Sequence, residues 1–107
     1  MGDKEQPTAA RYSRLISELR ETVFEGPGRA DPAMRQSAAT GEGLAEPWLS
    51  YTAKIRNEAW SVTDADIENL RAAGHSEDEI FEMTVAAAVG ASLRSLDAGL
   101  RALRDAG

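Results

Sequence analysis

This sequence has no cysteine for redox chemistry, and its candidates for acid-base chemistry are carboxylates and one histidine. The 107 residues include a single histidine, His75. Without cysteine there is no thiolate nucleophile, thiolate metal ligand or disulfide exchange, so thiol peroxidase activity is excluded. Histidine is the residue type most often used as a general acid or base, which makes His75 a candidate for that role. It stands between Gly74, which ends a predicted helix, and Ser76, which caps the next, so we favour an exposed turn as its setting.

Carboxylates form a dense group between residues 64 and 82, where the only base is Arg71. Such a group could bind a divalent cation, or its members could raise one another's pKa for acid catalysis. The simpler interpretation is that most of them occupy the first turns of two helices, where the helix dipole favours negative charge. No EF-hand spacing or Glu-x-x-His pair accompanies them, so the sequence predicts no metal site and no cofactor. The acids are Asp64, Asp66, Glu68, Glu77, Asp78, Glu79 and Glu82.

Two arginines are candidates for holding an acidic substrate beside Asp66, the carboxylate that we consider for catalysis. They are Arg56 and Arg94. Arg94 interrupts the apolar centre of the last helix and would be costly to bury without a carboxylate such as Asp97 or Glu58. A structural ion pair is therefore the interpretation that we favour for Arg94, and a substrate clamp is the alternative.

Three aromatic side chains lie on one predicted helix, namely Trp48, Tyr51 and Trp60. They could line a ligand pocket. Aromatic residues at helical spacing are more often packed in a core or a subunit interface, which is what we expect here.

Apolar spacing and helix-ending residues predict five helices that would position these groups. The predicted helices cover Thr8 to Phe24, Pro32 to Ala39, Pro47 to about Ser61, a short segment from Thr63 to Gly74, and Glu77 to about Arg104. Capping boxes are expected at Thr63 with Asp66 and at Ser76 with Glu79. No strand pattern is present, so the fold class is all-α.

The chain is long enough for one structural domain with two parts. Residues 1–46 are predicted to form an N-terminal helix and a connector rich in glycine and proline, and residues 47–107 a helical core. The glycines at 26, 28, 41 and 43 indicate flexible linkers in that connector.

The last helix contains no charge between Glu82 and Arg94. A helix that is apolar on all sides is usually buried on all sides, and one small domain can hardly cover it, so we expect a homo-oligomer. Its apolar side is predicted to run from Ile80 and Phe81 to Leu103. The predicted interface residues are Val85, Ala88, Val89, Leu93 and Leu96.

Charge and composition limit the classes of partner that the protein is expected to bind. The formal net charge of -6 opposes binding to nucleic acid. The sequence has no apolar run long enough for a membrane span and no signal-peptide pattern, so we expect a cytoplasmic protein that makes no membrane contact.

Two stretches resemble the alkylhydroperoxidase D and carboxymuconolactone decarboxylase family: Ala59-Trp-Ser-Val-Thr-Asp-Ala-Asp66 and Leu70-Arg-Ala-Ala-Gly-His-Ser-Glu-Asp-Glu-Ile-Phe-Glu82. The resemblance implies a compact helical domain of the alkylhydroperoxidase D-like type, in which a capped short helix precedes a long alanine-rich C-terminal helix. It covers a little over half of the chain.

The same resemblance implies that the family's sulfur chemistry is missing. Redox members carry a Cys-x-x-Cys-x-x-x-His motif, and alignment on Gly74 puts Ala59 and Val62 at the cysteine positions and Asp66 at the histidine position. The distal glutamate of the family would fall at Pro47, next to Glu46. None of the three motif residues can take part in disulfide exchange.

These observations predict a non-redox, oligomeric protein that acts as a small-molecule-binding subunit or as an accessory subunit for a partner protein. A small acidic ligand is one candidate. The alternative is a lyase or isomerase like the carboxymuconolactone decarboxylases, using carboxylates and arginines at a subunit interface. The catalytic histidines of that branch have no counterpart here, because His75 is the only histidine.

Overall fold

The computed structural model describes residues 8–106, and all of the regular structure in that range is helical. Helix α1 (Thr8–Arg20) continues as a π-helix (Glu21–Glu25), and α2 (Pro32–Thr40), α3 (Trp48–Glu58), a 3-10 turn (Ala59–Ser61), α4 (Asp64–Ala72) and α5 (Glu77–Ala106) follow. The all-α prediction is confirmed. Each predicted helix is present, with ends that differ by a few residues.

The two predicted capping boxes are confirmed. Thr63 accepts a hydrogen bond from the backbone N–H of Asp66, and the Asp66 carboxylate accepts one from the backbone N–H of Thr63. Ser76 and Glu79 make the equivalent pair at the start of α5, with distances of 3.0 and 3.1 Å. Gly74 has a φ of +97°, a backbone conformation that favours glycine, so it ends the segment before α5 as predicted.

The core forms where α5 packs against α2 and α3. Met83, Ala86 and Ala87 are fully buried, and Gly90 allows a close approach, because a Cβ built there would lie 2.6 Å from the Cβ of Ala39. One chain therefore covers much of the uncharged stretch of α5 with its own helices. The remaining buried apolar residues are Phe24, Ala30, Ala38, Ala39, Leu44, Trp48, Tyr51, Leu70, Ile80 and Leu93.

The buried side of α5 differs from the predicted apolar side. Phe81 and Leu103 were placed inward from the sequence, yet they are 69% and 70% exposed. Of the predicted interface residues, Leu93 is buried within the chain, Val85 and Val89 are half-buried, and Ala88 and Leu96 are exposed. Apolar residues recur at helical spacing on both the buried and the exposed side of α5, so spacing alone does not say which side is buried. Helix α2 covers the side that carries the small residues Ala86, Ala87 and Gly90.

The connector that was expected to be flexible is held by buried and charged side chains. Arg35 is 3% exposed and donates from Nε to the carbonyl of Ala30 (3.2 Å), from Nη1 to that of Val23 (3.0 Å) and from Nη2 to that of Gly26. One guanidinium thus joins α2 to the end of the first helix and to the loop between them. Glycine content predicted the turns but not these bonds.

Glu82 holds the same loop from α5. Its carboxylate accepts hydrogen bonds from the backbone N–H groups of Arg29 (2.9 Å) and Ala30 (2.8 Å). Partial burial raises the pKa of Glu82, but the two backbone hydrogen bonds and the nearby charges of Arg35 and Arg29 outweigh it, so the pKa lies below its ordinary value. The negative charge of Glu82 is therefore part of the folded state.

We expect Glu82→Gln to lower the free energy of unfolding at neutral pH by about 1–2 kcal/mol, because a carboxylate that accepts two backbone bonds becomes a neutral amide. A carboxyl group with a depressed pKa stabilises the fold above its unfolded pKa, here near 4.5, and loses that effect as the pH falls through its folded value. The difference in the free energy of unfolding between wild type and Glu82→Gln should thus shrink as the pH falls below 4.5. Urea unfolding across this range measures it. A difference that stays constant with pH would contradict the assignment.

The first helix and the second half of α5 extend from this core as an antiparallel pair. Tyr12 and Ile16 share a groove with Leu100 and Leu103. Ile16 is the only residue from 11 to 20 that is not exposed, and every residue from 94 to 106 is exposed. We call residues 8–20 together with 94–106 the arm.

Candidate functional site

A cavity of about 280 Å³ lies between α3 and α4 and opens to solvent. The spacing of three or four residues places Pro47, Ser50, Tyr51 and Lys54 on one side of α3. The polar residues of α4 face them. The full lining is Glu46, Pro47, Ser50, Tyr51, Lys54, Asp66, Asn69 and Leu70.

Lys54 and Asp66 form an ion pair inside this cavity, with 2.9 Å between Nζ and Oδ2. Oδ2 of Asp66 also accepts bonds from the backbone N–H of Thr63 (2.9 Å) and from its hydroxyl (3.2 Å). The hydrogen bond from Lys54 and the bond from the Thr63 backbone hold the pKa of Asp66 below its ordinary value, against a smaller opposing effect of burial. Asp66 therefore stays ionised at neutral pH and is a poor proton donor.

Glu46 lies at the start of α3 and acts as its cap. One carboxylate oxygen accepts from the backbone N–H of Ser50 (3.1 Å) and the other from the Ser50 hydroxyl (2.7 Å). Two carboxylates, from Glu46 and Asp66, and one ammonium, from Lys54, thus line the cavity. Its formal charge is negative.

The resemblance matched Pro47, next to Glu46, to the family's distal glutamate and Asp66 to its histidine, and the structure brings these positions to one cavity. The two residues at the cysteine positions do not line it. Ala59 is exposed in the 3-10 turn, and Val62 is half-buried against the core. Lys54, Ser50 and Asn69 were missed from the sequence, although the spacing of Pro47, Ser50 and Lys54 on one helix side was a usable signal.

Arg56 and Arg94 lie elsewhere, and the ion pair expected for Arg94 is absent from the described residues. Arg94 donates to the carbonyl of Ala39, and Arg56 donates to the carbonyl of Ala38 (3.0 Å) and to the hydroxyl of Thr52 (3.1 Å). Both guanidinium groups bind the C-terminal end of α2, where the helix dipole favours positive charge. Partial burial and then the charge of Arg94 lower the pKa of Arg56.

One expected partner of Arg94, Asp97, pairs with another arginine, and neither Arg56 nor Arg94 lines the cavity. Asp97 pairs with Arg101 at 2.6 Å. The lining of the cavity includes Asp66 but neither Arg56 nor Arg94. Within one chain, Asp66 therefore does not share an enclosed pocket with these arginines.

His75 is less exposed than the sequence indicated. Its side chain is 25% exposed, and its ring packs at 4.6 Å from that of the buried Trp48. Its Nδ1 lies 3.7 Å from a carboxylate oxygen of Glu79. His75 thus covers one edge of the core, and it does not line the cavity of Asp66.

The three aromatic residues of the α3 region separate into two groups. Trp48 and Tyr51 are buried as expected, with the Tyr51 hydroxyl 2.6 Å from that of Thr84. Trp60 is 85% exposed, so it does not lie in the core of the chain, and its place in a subunit interface stays a prediction. Helix α3 ends at Glu58 and Trp60 lies in the 3-10 turn after it; a continued helix would also place Trp60 about 120° around from Trp48, off the buried side.

The acidic run takes the positions that the helix dipole favours. Asp64 and Asp66 lie in the first turn of α4, and Glu77, Asp78 and Glu79 in the first turn of α5. Across residues 8–106, no three acidic or histidine side chains are grouped closely enough to hold a metal ion. The dipole interpretation accounts for this part of the sequence.

Comparisons with known protein families, with curated proteins and with solved structures find no match to this chain. Within the described range, none of the helices combines the length and apolar character that crossing a bilayer requires. The fold and the site define the class only broadly: an all-helical protein with a charged cavity between two helices and an exposed two-helix arm.

Proposed function

We propose that this chain is a non-redox, self-associating cytoplasmic protein of the alkylhydroperoxidase D-like type that binds a small molecule and does not transform it. The observation that carries the proposal is the cavity between α3 and α4. It gathers Glu46, Lys54 and Asp66 around a half-open space of about 280 Å³. Binding by a partner protein, the accessory role predicted from the sequence, remains the second form of this proposal.

The charges of the cavity favour a particular ligand class. Two carboxylates outnumber one ammonium there, so a ligand with a primary amine is attracted more strongly than the acidic ligand first considered. Ser50 and Asn69 add hydroxyl and amide groups that can hydrogen bond to a polar ligand. The apolar floor formed by Tyr51 and Leu70 suits a short hydrocarbon stem.

The depressed pKa of Asp66 supports binding over catalysis. An acid catalyst needs a pKa near the working pH, whereas Asp66 is held ionised by Lys54 and Thr63. The lyase or isomerase alternative required carboxylates and arginines in one enclosed pocket, and the cavity of Asp66 contains neither Arg56 nor Arg94. That alternative now depends on a second subunit to supply the missing groups.

The proposal is tested by titrating ethanolamine into the isotope-labelled full chain and following amide NMR signals, with acetate as the comparison probe. We expect saturable shifts at Ser50, Lys54 and Asn69 with ethanolamine, and smaller shifts with acetate. Glu46→Gln keeps a hydrogen-bond acceptor for Ser50 but removes one charge, so it should weaken ethanolamine binding by about tenfold.

Arg71→Met is the matched control, because Arg71 pairs with Glu68 and Glu77 outside the cavity. It should leave ethanolamine binding unchanged. Shifts that do not saturate, or that are as large with acetate, would overturn the proposed ligand class. Shifts that Arg71→Met reduces as much as Glu46→Gln would overturn the site.

A further inference from the structure

The outward side of α5 carries no charge along its whole exposed length. Residues at intervals of three or four positions from Phe81 to Leu103 lie within about 80° of the helix circumference. The charged residues of α5 from Glu82 onward lie on other sides of the helix. The outward residues are Phe81, Val85, Ala88, Ser92, Ser95, Gly99 and Leu103, and we call them the outer stripe.

The outer stripe is open to solvent in the single chain. Phe81 and Leu103 are 69% and 70% exposed, Ala88, Ser92 and Gly99 are exposed, and Val85 is half-buried. Phe81 stands between two apolar grooves, one beside Val23 and Val85 and one beside Ile67 and Thr84. An exposed helix side of this length without a charge is typical of a surface that another protein covers.

We propose that the outer stripe is the contact between two copies of this chain, with their α5 helices packed antiparallel across a two-fold axis near residue 90. The inference rests on the proposal that the chain self-associates, and it specifies the partner and the geometry. The sequence of the stripe is self-complementary in that arrangement. Phe81 of one copy faces Gly99 of the other, where a Cβ would find open space, and Ala88 faces Ser92.

Charge complementarity favours this direction. The antiparallel pair places the acidic first turn of α5, with Glu77 and Asp78, at the level of the last turns of the second copy's α5, where Arg101 and Arg104 project from the far side of the helix. A parallel pair would place the acidic turns together. The charges of the rest of the molecule also favour the antiparallel pair. The arm carries six arginines and three acids in a chain whose net charge is -6, so the remainder of the chain is strongly acidic. In the antiparallel pair, each basic arm lies along the acidic part of the other copy.

The area of the proposed contact is close to that of a stable protein interface. Helix α5 has 30 residues, and α1 lies beside its second half, where the exposed Tyr12 shares a groove with Leu103 of the stripe. A contact along both helices, each about 10 Å wide, covers roughly 700 Å² per copy. A stable interface of standard size buries about 800 Å² per partner.

Sedimentation of the full chain at tens of micromolar tests the proposal, with a species of twice the chain mass as the expected result. Ala88→Arg places two like charges next to the axis and should shift the protein to monomer by at least about a hundredfold in Kd. Adding Ser92→Asp to that variant should restore the dimer, because residue 88 faces residue 92 of the other copy only in this register. Ala98→Arg, an exposed change away from the stripe, is the control.

Cysteine pairs give a second measurement, because the chain has no cysteine of its own. Oxidation should cross-link the double variant Phe81→Cys with Gly99→Cys into dimers, whereas neither single variant should cross-link. The two positions lie about 27 Å apart on one helix, so they cannot pair within a chain. A monomeric wild type, a dimer that survives Ala88→Arg, failure of Ser92→Asp to rescue, or cross-linking of the single variants would each overturn the proposal.

These outcomes are separate from those of ligand binding. The cavity includes no residue of α5, so ethanolamine shifts at Ser50 and Asn69 are read independently of the dimer. A chain that binds ethanolamine and remains monomeric would refute self-association and the α5 contact but not the ligand site, whereas a dimer that survives Ala88→Arg would refute the α5 contact alone. Circular dichroism of Ala88→Arg confirms that an exposed substitution has left the helices intact.

Discussion

Replacement of Arg35 by methionine should lower the free energy of unfolding by about 3–5 kcal/mol, because it leaves buried main-chain carbonyls without donors. The guanidinium serves Val23, Gly26 and Ala30 at once. Methionine fills much of the same volume, so the loss measures the hydrogen bonds more than the packing. Since a domain of this size has a total stability of about 5–15 kcal/mol, a large part of it depends on this side chain.

Arg101→Met is the matched control for Arg35→Met. Arg101 pairs with Asp97 on the exposed surface of α5, with 65% and 58% of the two side chains exposed. An exposed pair at this spacing contributes about 0.5 kcal/mol or less. Chemical denaturation of both variants gives the comparison. If Arg35→Met and Arg101→Met lower the free energy of unfolding equally, Arg35 does not organise the connector.

Replacement of Gly90 by alanine should destabilise the protein by about 2–3 kcal/mol, although alanine is the better helix former. A Cβ at Gly90 would lie 2.6 Å from the Cβ of Ala39 and 2.7 Å from its Cα and carbonyl oxygen. Two of these atoms are backbone, so a side-chain rotation cannot relieve the contact. Helix α2 would have to move away from α5, which also disturbs the bond from Arg94 to Ala39.

Gly99→Ala is the control for Gly90→Ala, because it lies in the same helix with nothing within 4 Å of the added Cβ. Helix propensity alone should then apply, with a gain of up to about 1 kcal/mol. Thermal unfolding is measured at low protein concentration, because Gly99 lies in the proposed dimer contact and the comparison concerns the single chain. A stabilising effect of Gly90→Ala would mean that α2 and α5 are not packed as closely as described.

Structural roles account for most of the charged residues that the sequence offered as candidates for chemistry. Arg56 and Arg94 hold the end of α2, Glu82 holds the connector, and Asp66 caps α4 while it pairs with Lys54. Of these four residues, only Asp66 lines the cavity between α3 and α4. The proposed ligand site therefore depends on one group of charges at α3 and α4, and the proposed dimer depends on an uncharged helix side.

The local structure follows from the sequence alone. The capping boxes at Thr63 and Ser76 and the ending at Gly74 are set by hydrogen bonds between neighbouring residues, so the motifs predicted them correctly. The absence of cysteine settled the sulfur chemistry by composition. The positions of the five helices also follow from apolar spacing and from helix-ending glycine and proline.

Which side of a helix is buried was decided by the tertiary structure. The apolar pattern of α5 permits burial on the side of Phe81 or on the side of Met83, and contact with α2 selects the second because Gly90 admits Ala39 there. Trp60 is exposed in the 3-10 turn that follows α3. Arg94 and Lys54 bind residues 55 and 12 positions away along the chain. Arg35 binds Val23, 12 positions away, as well as the nearer Gly26 and Ala30. Contacts across such separations depend on how the helices pack, and helical periodicity carries no information about that.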